Sequence, residues 1–79
     1  MTPADIAAVM CEIVEIGDIG VDDDFFHKGG KSWGALALMM RLEERSGVQI
    51  SLLDVFHSRT PSNLAALIAE RSVMRNIST

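Results

Sequence analysis

Apolar residues recur at intervals of three and four along this chain, and this spacing constrains its fold more than any other feature. In the first segment the recurring residues are Ile6, Val9, Met10, Ile13 and Val14. Residues three and four apart share one face of an α-helix, so the spacing predicts a first helix over residues 3–16. The Thr2-Pro3 pair indicates where this helix starts, because threonine caps a helix and proline is tolerated in its first turn.

The same reasoning predicts three more helices, over residues 32–46, 51–56 and 61–75. Ser32 is the predicted N-cap of the second helix, and Gly47 is its predicted C-terminal stop. Ser51, with Asp54 three residues later, has the capping-box pattern of a short third helix. A second Thr-Pro pair opens the fourth. Since strand-like alternation is confined to residues 48–50, the prediction is an all-α four-helix bundle.

A long loop is expected between helices one and two. Gly17 and Gly20 are predicted to end the first helix. Within the loop, Val21, Phe25 and Phe26 are expected to point inward, because a loop of this length needs side chains that anchor its backbone.

Length and charge narrow the range of functions. The chain has 79 residues, 48% of them apolar and 23% charged, which is typical of one ordered domain. Residues 1–27 contain seven acids and no Lys or Arg, and the net charge is −4, so nucleic acid is not an expected partner. The longest apolar stretch, residues 33–40, is too short to cross a membrane. A single cysteine and the absence of a secretory signal favour the cytoplasm.

The stretch HKGGKSWG, at residues 27–34, places a serine directly after two glycines and a lysine. A phosphate-binding P-loop ending at this serine would need a glycine where the chain has Phe25, so nucleotide binding is not expected. Ser32 is then itself the candidate reactive group. No histidine and acid are arranged around Ser32 as a relay, and no catalytic residue is predicted.

The cysteine, the two histidines and the adjacent acids of the chain are not predicted to form functional sites. Cys11 lies among apolar neighbours and is predicted to be a small buried side chain. His27 and His57 are far apart in sequence, and neither has a second ligand at metal spacing, so no metal site is predicted. The three acids at residues 22–24 lack the spacing of a calcium loop.

Helix two has more apolar residues than one buried face requires. If Ala35, Leu38, Met39 and Leu42 form the inward stripe, three large apolar residues lie on another face: Trp33, Leu36 and Met40. Exposed together, they would form a patch of the kind that marks a partner site. The alternative is a central helix that buries every apolar residue.

Two sequence motifs indicate which protein family the chain resembles. The run DDDFFHKGGKS, at residues 22–32, matches the pattern Asp-Asp-x-Phe-Phe-x-x-Gly-Gly-x-Ser, and DVF, at residues 54–56, is followed four residues later by Thr-Pro. With these motifs the chain resembles the phosphopantetheine-dependent carrier proteins, and most closely the peptidyl carrier proteins of nonribosomal peptide synthesis. The likeness extends from helix one to Ile68.

This resemblance implies that a phosphopantetheinyl transferase attaches 4'-phosphopantetheine, from coenzyme A, to Ser32, with Gly29, Gly30 and Lys31 flanking the site. The thiol of the arm would hold an aminoacyl or acyl group as a thioester. Implied partners are the transferase, an adenylation or other loading enzyme, and condensation or tailoring enzymes of peptide or hybrid natural-product biosynthesis. The implied partner surface comprises Trp33, Leu36, Met40, Val55, His57 and Arg59. We expect a monomeric, free-standing carrier domain over residues 1–79.

The chain departs from the family pattern at three positions around Ser32. Lys31 stands where Asp or His is usual, Trp33 stands where Leu or Ile is common, and Gly34 weakens the first helical turn by about 1 kcal/mol relative to alanine. A loosened turn, or a close approach by a partner, would explain the glycine. A second hypothesis therefore stays open, in which a carrier-shaped domain is never modified and only docks a protein through the apolar face of helix two.

Overall fold

The chain folds into four α-helices in a computed structural model that describes residues 1–15 and 18–77, with side chains as far as residue 72. The helices are α1 (Pro3–Val14), α2 (Ser32–Ser46), α3 (Leu52–His57) and α4 (Pro61–Ile77), and the described residues form no strand. The predicted all-α architecture with a long first loop is confirmed. Within the described residues, no helix has the length and apolar character needed to span a bilayer.

Two helix boundaries differ from the sequence prediction. α1 ends at Val14 rather than residue 16, because Glu15 adopts the left-handed conformation, with φ 57°, and its N–H bonds to the carbonyl of Cys11. Gly17, the predicted stop, lies outside the described residues. α4 continues to Ile77, two residues beyond the predicted end.

α1 and α3 begin with reciprocal hydrogen bonds between a hydroxyl residue and an aspartate. The Asp5 N–H donates to Thr2 Oγ1 at 3.2 Å, and the Thr2 N–H donates to the Asp5 carboxylate at 3.0 Å. Ser51 and Asp54 repeat this arrangement at 3.1 and 2.8 Å. The Thr2 N–H lowers the pKa of Asp5 below its ordinary value. Both predicted helix starts are confirmed, and both place a carboxylate at the positive end of a helix.

α2 begins differently, and here the sequence prediction was wrong by one residue. Lys31 is the N-cap and Ser32 is the first helical residue. Lys31 has extended backbone, with φ −118° and ψ 174°, and its carbonyl accepts the first helical hydrogen bond, from the Ala35 N–H at 2.8 Å. Because a capping hydroxyl must stand one residue before the helix, Ser32 cannot serve as the cap.

The core lies between the helices, where α1 packs on α2 and α4, and α2 packs on α3. Its largest fully buried side chains are Phe25, Ile6, Met10, Leu38, Leu42, Ile50 and Leu64. The predicted inward stripe of α2 is confirmed, except that Met39 is half-buried. Cys11 is also half-buried and packs against the core.

The long loop is attached to the connection between α3 and α4. The Phe25 N–H donates to the Arg59 carbonyl at 2.9 Å, and the Ser62 N–H donates to the Val21 carbonyl at 2.9 Å. Phe25 is fully buried and Phe26 is half-buried, as expected. Val21 was expected to point inward, but its side chain is 40% exposed because the loop is held at this residue by its carbonyl.

An ion pair joins α3 to α4. Arg71 donates from both terminal nitrogens to the Asp54 carboxylate, with Nη2 to Oδ1 at 2.9 Å, and Nη1 also reaches the Gln49 carbonyl at 3.1 Å. The Arg71 guanidinium and the Ser51 N–H hold the pKa of Asp54 well below its usual range. The same pairing raises the pKa of Arg71. The two-pronged contact is the geometry in which a partly exposed ion pair contributes to stability.

Replacing Arg71 with Met is expected to lower the free energy of unfolding by about 1–2 kcal/mol near neutral pH, because the half-buried Asp54 carboxylate loses its partner. As the pH falls, the unfolded chain protonates at the ordinary aspartate pKa of 3.8, before the folded chain does. The contribution of the pair is therefore present above that pKa and is lost progressively below it. Urea unfolding at about pH 7 and about pH 3 should show the difference between wild type and Arg71→Met shrinking in acid. Arg45→Met, at an exposed arginine, should change stability little at either pH; an equal loss there would contradict the prediction.

Candidate functional site

Ser32 lies exposed where the long loop turns into α2. The turn before it is closed by backbone hydrogen bonds that include Lys28 N–H to the Asp24 carbonyl at 3.1 Å and Gly30 N–H to the Phe25 carbonyl at 2.9 Å. Gly29 has φ 108°, a conformation that L side chains rarely adopt, so a glycine is required there. The turn thus fixes the serine at a defined corner of the molecule.

The ring of Phe25 packs beneath this corner. A Cβ on Gly30 would lie 2.3 Å from Phe25 Cε2, and a Cβ on Gly34 would lie 3.4 Å from Phe25 Cζ and 3.3 Å from Ile13 Cγ2. Gly30 therefore leaves room for the ring and so brings the loop close to the first turn of α2. Gly34 is buried, and its close neighbours are α1 and Phe25, so packing within the chain explains this glycine without a partner.

The N-terminus of α2 differs electrostatically from those of α1 and α3. No side chain caps it, its first turn contains no acid, and Lys31 stands exposed directly before Ser32. α1 and α3 each place an aspartate in the first turn, and at α4, which has no acid there, the Thr60 hydroxyl accepts from the Asn63 N–H. Free N–H groups, the positive end of the helix dipole and an ammonium group together favour an anion beside Ser32.

The surroundings of Ser32 do not activate its hydroxyl. Among the described residues, no hydrogen bond joins Ser32 to a histidine or a carboxylate, and no cluster of three metal-ligating side chains is present. His27 and His57 are both exposed. The described residues around Ser32 therefore do not form a catalytic relay of the kind that activates a serine nucleophile.

The predicted apolar patch on α2 is exposed. Trp33 is 68% exposed, Leu36 46% and Met40 59%, so the alternative in which α2 buries every apolar residue was wrong. Such a group of large apolar side chains on one helix face is typical of an interaction surface.

One residue of the predicted partner surface is buried, and other apolar side chains of α3 are exposed. Val55 is completely buried, because it lies on the single face that α3 turns toward the core, and it cannot contact a partner. Leu53 is 63% exposed, and Leu52 and Phe56 are exposed too. The sequence contained a signal for them: a helix of six residues cannot bury four large apolar side chains on one face.

Arg59 is exposed, but its side chain contacts two residues of the long loop. Its Nε lies 2.9 Å from Asp24 Oδ2, and its guanidinium carbon lies 5.0 Å from the centre of the Phe26 ring. That ring stacks on Phe56 with centroids 4.9 Å apart and planes inclined by 15°. These contacts join the loop to α3 and hold Phe56 at the surface.

A groove of about 440 Å³ runs between α1 and α2 beside Ser32. The end of α1 contributes residues 12–15, and the turn contributes residues 29–31. The remaining lining residues belong to α2 and are Trp33, Gly34, Ala37 and Arg41. The two neighbours of Ser32 in the chain, Lys31 and Trp33, both line this groove. Sequence reasoning did not identify it, since its α1 wall is far from Ser32 in sequence.

The chain is similar to known proteins over most of its length. Residues 4–68 match the family described as a phosphopantetheine attachment site. A plipastatin synthase protein of Bacillus subtilis (strain 168) is 37% identical over 67 residues, which cover 85% of this chain and 2% of that protein. The chain thus spans only a small part of the length of the curated relatives that it matches.

Two solved structures share the fold closely. A peptidyl carrier protein, in complex with the phosphopantetheine transferase Sfp and coenzyme A, superposes with a TM-score of 0.84 at 25% identity, covering 90% of this chain and 92% of that chain. BlmI from Streptomyces verticillus, a type-II acyl carrier protein involved in bleomycin biosynthesis, has a TM-score of 0.80 at 26% identity, covering 86% of this chain and 82% of that chain.

The family match over residues 4–68 and the four-helix fold together identify this chain as a carrier domain. The chain belongs to the phosphopantetheine attachment-site family, with 4'-phosphopantetheine as its prosthetic group and the peptidyl carrier domains of nonribosomal peptide synthetases as its relatives. The site fits this group, because an uncapped helix N-terminus preceded by a lysine suits a phosphodiester.

Proposed function

We propose that Ser32 is the residue that carries 4'-phosphopantetheine, and that the chain presents an aminoacyl or acyl thioester to the enzymes of a peptide or hybrid natural-product pathway. The observation that carries this proposal is the exposed serine at the first residue of a helix whose N-terminus has no capping side chain and no acid. An attached phosphodiester would supply the missing negative charge.

Attachment forms a phosphodiester between Ser32 Oγ and the phosphopantetheine phosphorus of coenzyme A. The pyrophosphate bond of coenzyme A breaks and its nucleotide half leaves, and the serine proton passes to a base of the transferase, because the described residues place none beside Ser32. Once bound, the arm supplies a thiol that holds an acyl group as a thioester. The contributions of the chain are to position Ser32 through the Gly29–Gly30 turn and to bind the phosphate through Lys31 and the α2 N–H groups.

We propose a partner surface made of exposed apolar residues on two contacting helices: Trp33, Leu36 and Met40 on α2, which begins at Ser32, and Leu53 and Phe56 on α3. Its partners are a phosphopantetheinyl transferase, a loading enzyme and condensation or tailoring enzymes, all meeting the carrier in the cytoplasm. Apolar side chains that stand exposed in the free protein gain most when a partner covers them. His57 and Arg59 lie at the edge of this surface.

Replacing Met40 with Glu is expected to lower the kcat/KM of a phosphopantetheinyl transferase for this carrier about tenfold, since a charge would be buried against an apolar partner. Stability should stay within about 0.5 kcal/mol of wild type because the side chain is exposed. Ala69→Glu adds the same charge on an exposed part of α4 and serves as the matched control. Equal rates for Met40→Glu and wild type would remove Met40 from the partner surface.

The function is tested by incubating the chain with coenzyme A, magnesium and a broad-specificity transferase, followed by intact-mass measurement and peptide mapping. The expected result is one added phosphopantetheinyl group per chain, on Ser32. If the chain gains no mass while a known carrier is modified in parallel, and Lys31→Asp also stays unmodified, the proposal is wrong and the unmodified docking domain becomes the better explanation.

A further inference from the structure

The groove between α1 and α2 is placed where an arm on Ser32 can enter it. Its volume of about 440 Å³ lies within the range of about 300–1,000 Å³ usual for small-molecule sites. Its lining is mostly polar, and Ile13, Val14, Trp33 and Ala37 supply the apolar part. Since Lys31 and Trp33 both line the groove, an arm attached between them starts at its rim.

The charges around the groove are segregated. Lys31 and Arg41 lie on the side of the turn and α2, and Glu12 and Glu15 lie at the end of α1. The Arg41 guanidinium pairs with the Glu12 carboxylate at 2.8 Å, which joins the two walls. Within the described residues, Glu15 forms no ion pair, although it is the C-cap of α1 and its position is fixed by the hydrogen bond to Cys11. Lys31 likewise forms no ion pair with any described residue, so one wall offers an ammonium beside Ser32 and the other offers a carboxylate.

We propose that this groove is the resting site of the phosphopantetheine arm when the arm bears an aminoacyl group with a free α-ammonium. The inference rests on the proposed function. The phosphate lies beside Lys31, the pantetheine chain covers the apolar lining, and the α-ammonium faces the Glu15 carboxylate. The aminoacyl arm is negative at its phosphate and positive at its α-ammonium. Each of these charges is opposite to the charge that one wall of the groove offers.

The charge pattern makes the groove selective. An acyl group without an amine leaves Glu15 unpaired and retains only the apolar contacts. An ion pair at a solvent-accessible site changes an equilibrium by a factor of about two to five, so the aminoacyl arm should occupy the groove about two to five times more than its uncharged counterpart. The carrier thus discriminates by charge between aminoacyl and simple acyl cargo.

The test uses two matched probes attached to Ser32 by a broad-specificity transferase. In one, alanine is joined to the arm by an amide in place of the thioester; in the other, an isobutyryl group replaces alanine, so that a methyl stands where the ammonium was. Backbone amide shifts at about pH 6.5, where the α-amino group is charged, report occupancy of the groove. We expect the alanyl probe to shift residues 12–15 and Ala37 about two to five times more than the isobutyryl probe, with contacts between the arm's methyl groups and those of Ile13 and Val14.

Two variants separate charge from packing. Glu15→Gln should reduce the shifts from the alanyl probe to the isobutyryl level and leave the isobutyryl shifts unchanged, whereas Glu44→Gln, at an exposed glutamate outside the groove, should change neither. Ala37→Leu should fill the groove and lower the shifts from both probes, with Ala66→Leu on α4 as its control.

Confirmed loading of Ser32 with shifts confined to residues 31–33, or equal shifts from the two probes, would overturn this inference alone. Failure to load Ser32 at all would overturn the carrier function and the inference with it.

Discussion

Ser32→Ala is expected to abolish phosphopantetheinylation completely while the protein keeps its fold. The hydroxyl forms no hydrogen bond among the described residues and does not cap α2, so its loss removes no structural contact. Alanine also has the highest helix propensity, and Ser32 is the first helical residue. We expect the free energy of unfolding to change by less than about 0.5 kcal/mol, and the mass gain to disappear.

The control for this prediction is Ser62→Ala. Ser62 is a half-buried serine near the start of α4, where its N–H, which the substitution keeps, bonds to Val21. This variant should gain the full phosphopantetheinyl mass. Circular dichroism and urea unfolding of both variants establish that each is folded before modification is attempted. A folded Ser32→Ala protein that still gained the arm, with peptide mapping to another residue, would remove Ser32 from the site.

Local hydrogen-bonding patterns were the part of the fold most fully predictable from the sequence. The capping boxes at Thr2 and Ser51 depend on residues three apart, and both form as predicted. The spacing of apolar residues on α2 likewise separated Leu38 and Leu42, which are buried, from Trp33, which is exposed. These features are decided within one helix turn, so no knowledge of the rest of the chain is needed.

Two of the predictions that failed, those for Val55 and Val21, depend on contacts between distant segments. Val55 was assigned to the surface and is buried, because the orientation of a helix of six residues is decided by what packs against it. Val21 was assigned to the interior and is exposed, because the loop is held there through the backbone, by Ser62. The groove beside Ser32 was not predicted at all, since its walls come from α1 and α2 and no periodicity within either helix indicates it.

The contact between Gly30 and Phe25 connects the fold to the site. The family pattern contains both residues, but the sequence does not reveal that they meet: the missing side chain of Gly30 is the space that the Phe25 ring fills. Phe25 also bonds through its backbone to Arg59 and Gly30. The buried ring therefore supports the turn that presents Ser32, and the two glycines before the serine have different roles. Gly29 provides the left-handed backbone, and Gly30 admits the ring.

Gly30→Ala is accordingly expected to lower the free energy of unfolding by about 2–3 kcal/mol, because the new Cβ would lie 2.3 Å from a buried ring carbon and one of the two must move. Backbone strain does not contribute, since Gly30 is not among the residues with positive φ. Gly34→Ala is the matched comparison. Its Cβ would approach Ile13 and Phe25 only to 3.3–3.4 Å, and its gain of about 1 kcal/mol in helix propensity should leave its stability near that of wild type.

A double-mutant cycle tests whether the Phe25 ring causes the loss of stability expected for Gly30→Ala. Phe25→Leu shortens the side chain and removes the ring carbons that Gly30→Ala would strike, so the double variant should be more stable than the sum of the single losses predicts, by at least about 1 kcal/mol. Urea unfolding of the four proteins measures this coupling. The folded Gly30→Ala protein should also accept the arm more slowly than wild type, because the displaced ring no longer supports the turn that presents Ser32. Additive losses in stability would mean that the ring does not limit the space at Gly30, and that the turn is held by its backbone hydrogen bonds alone.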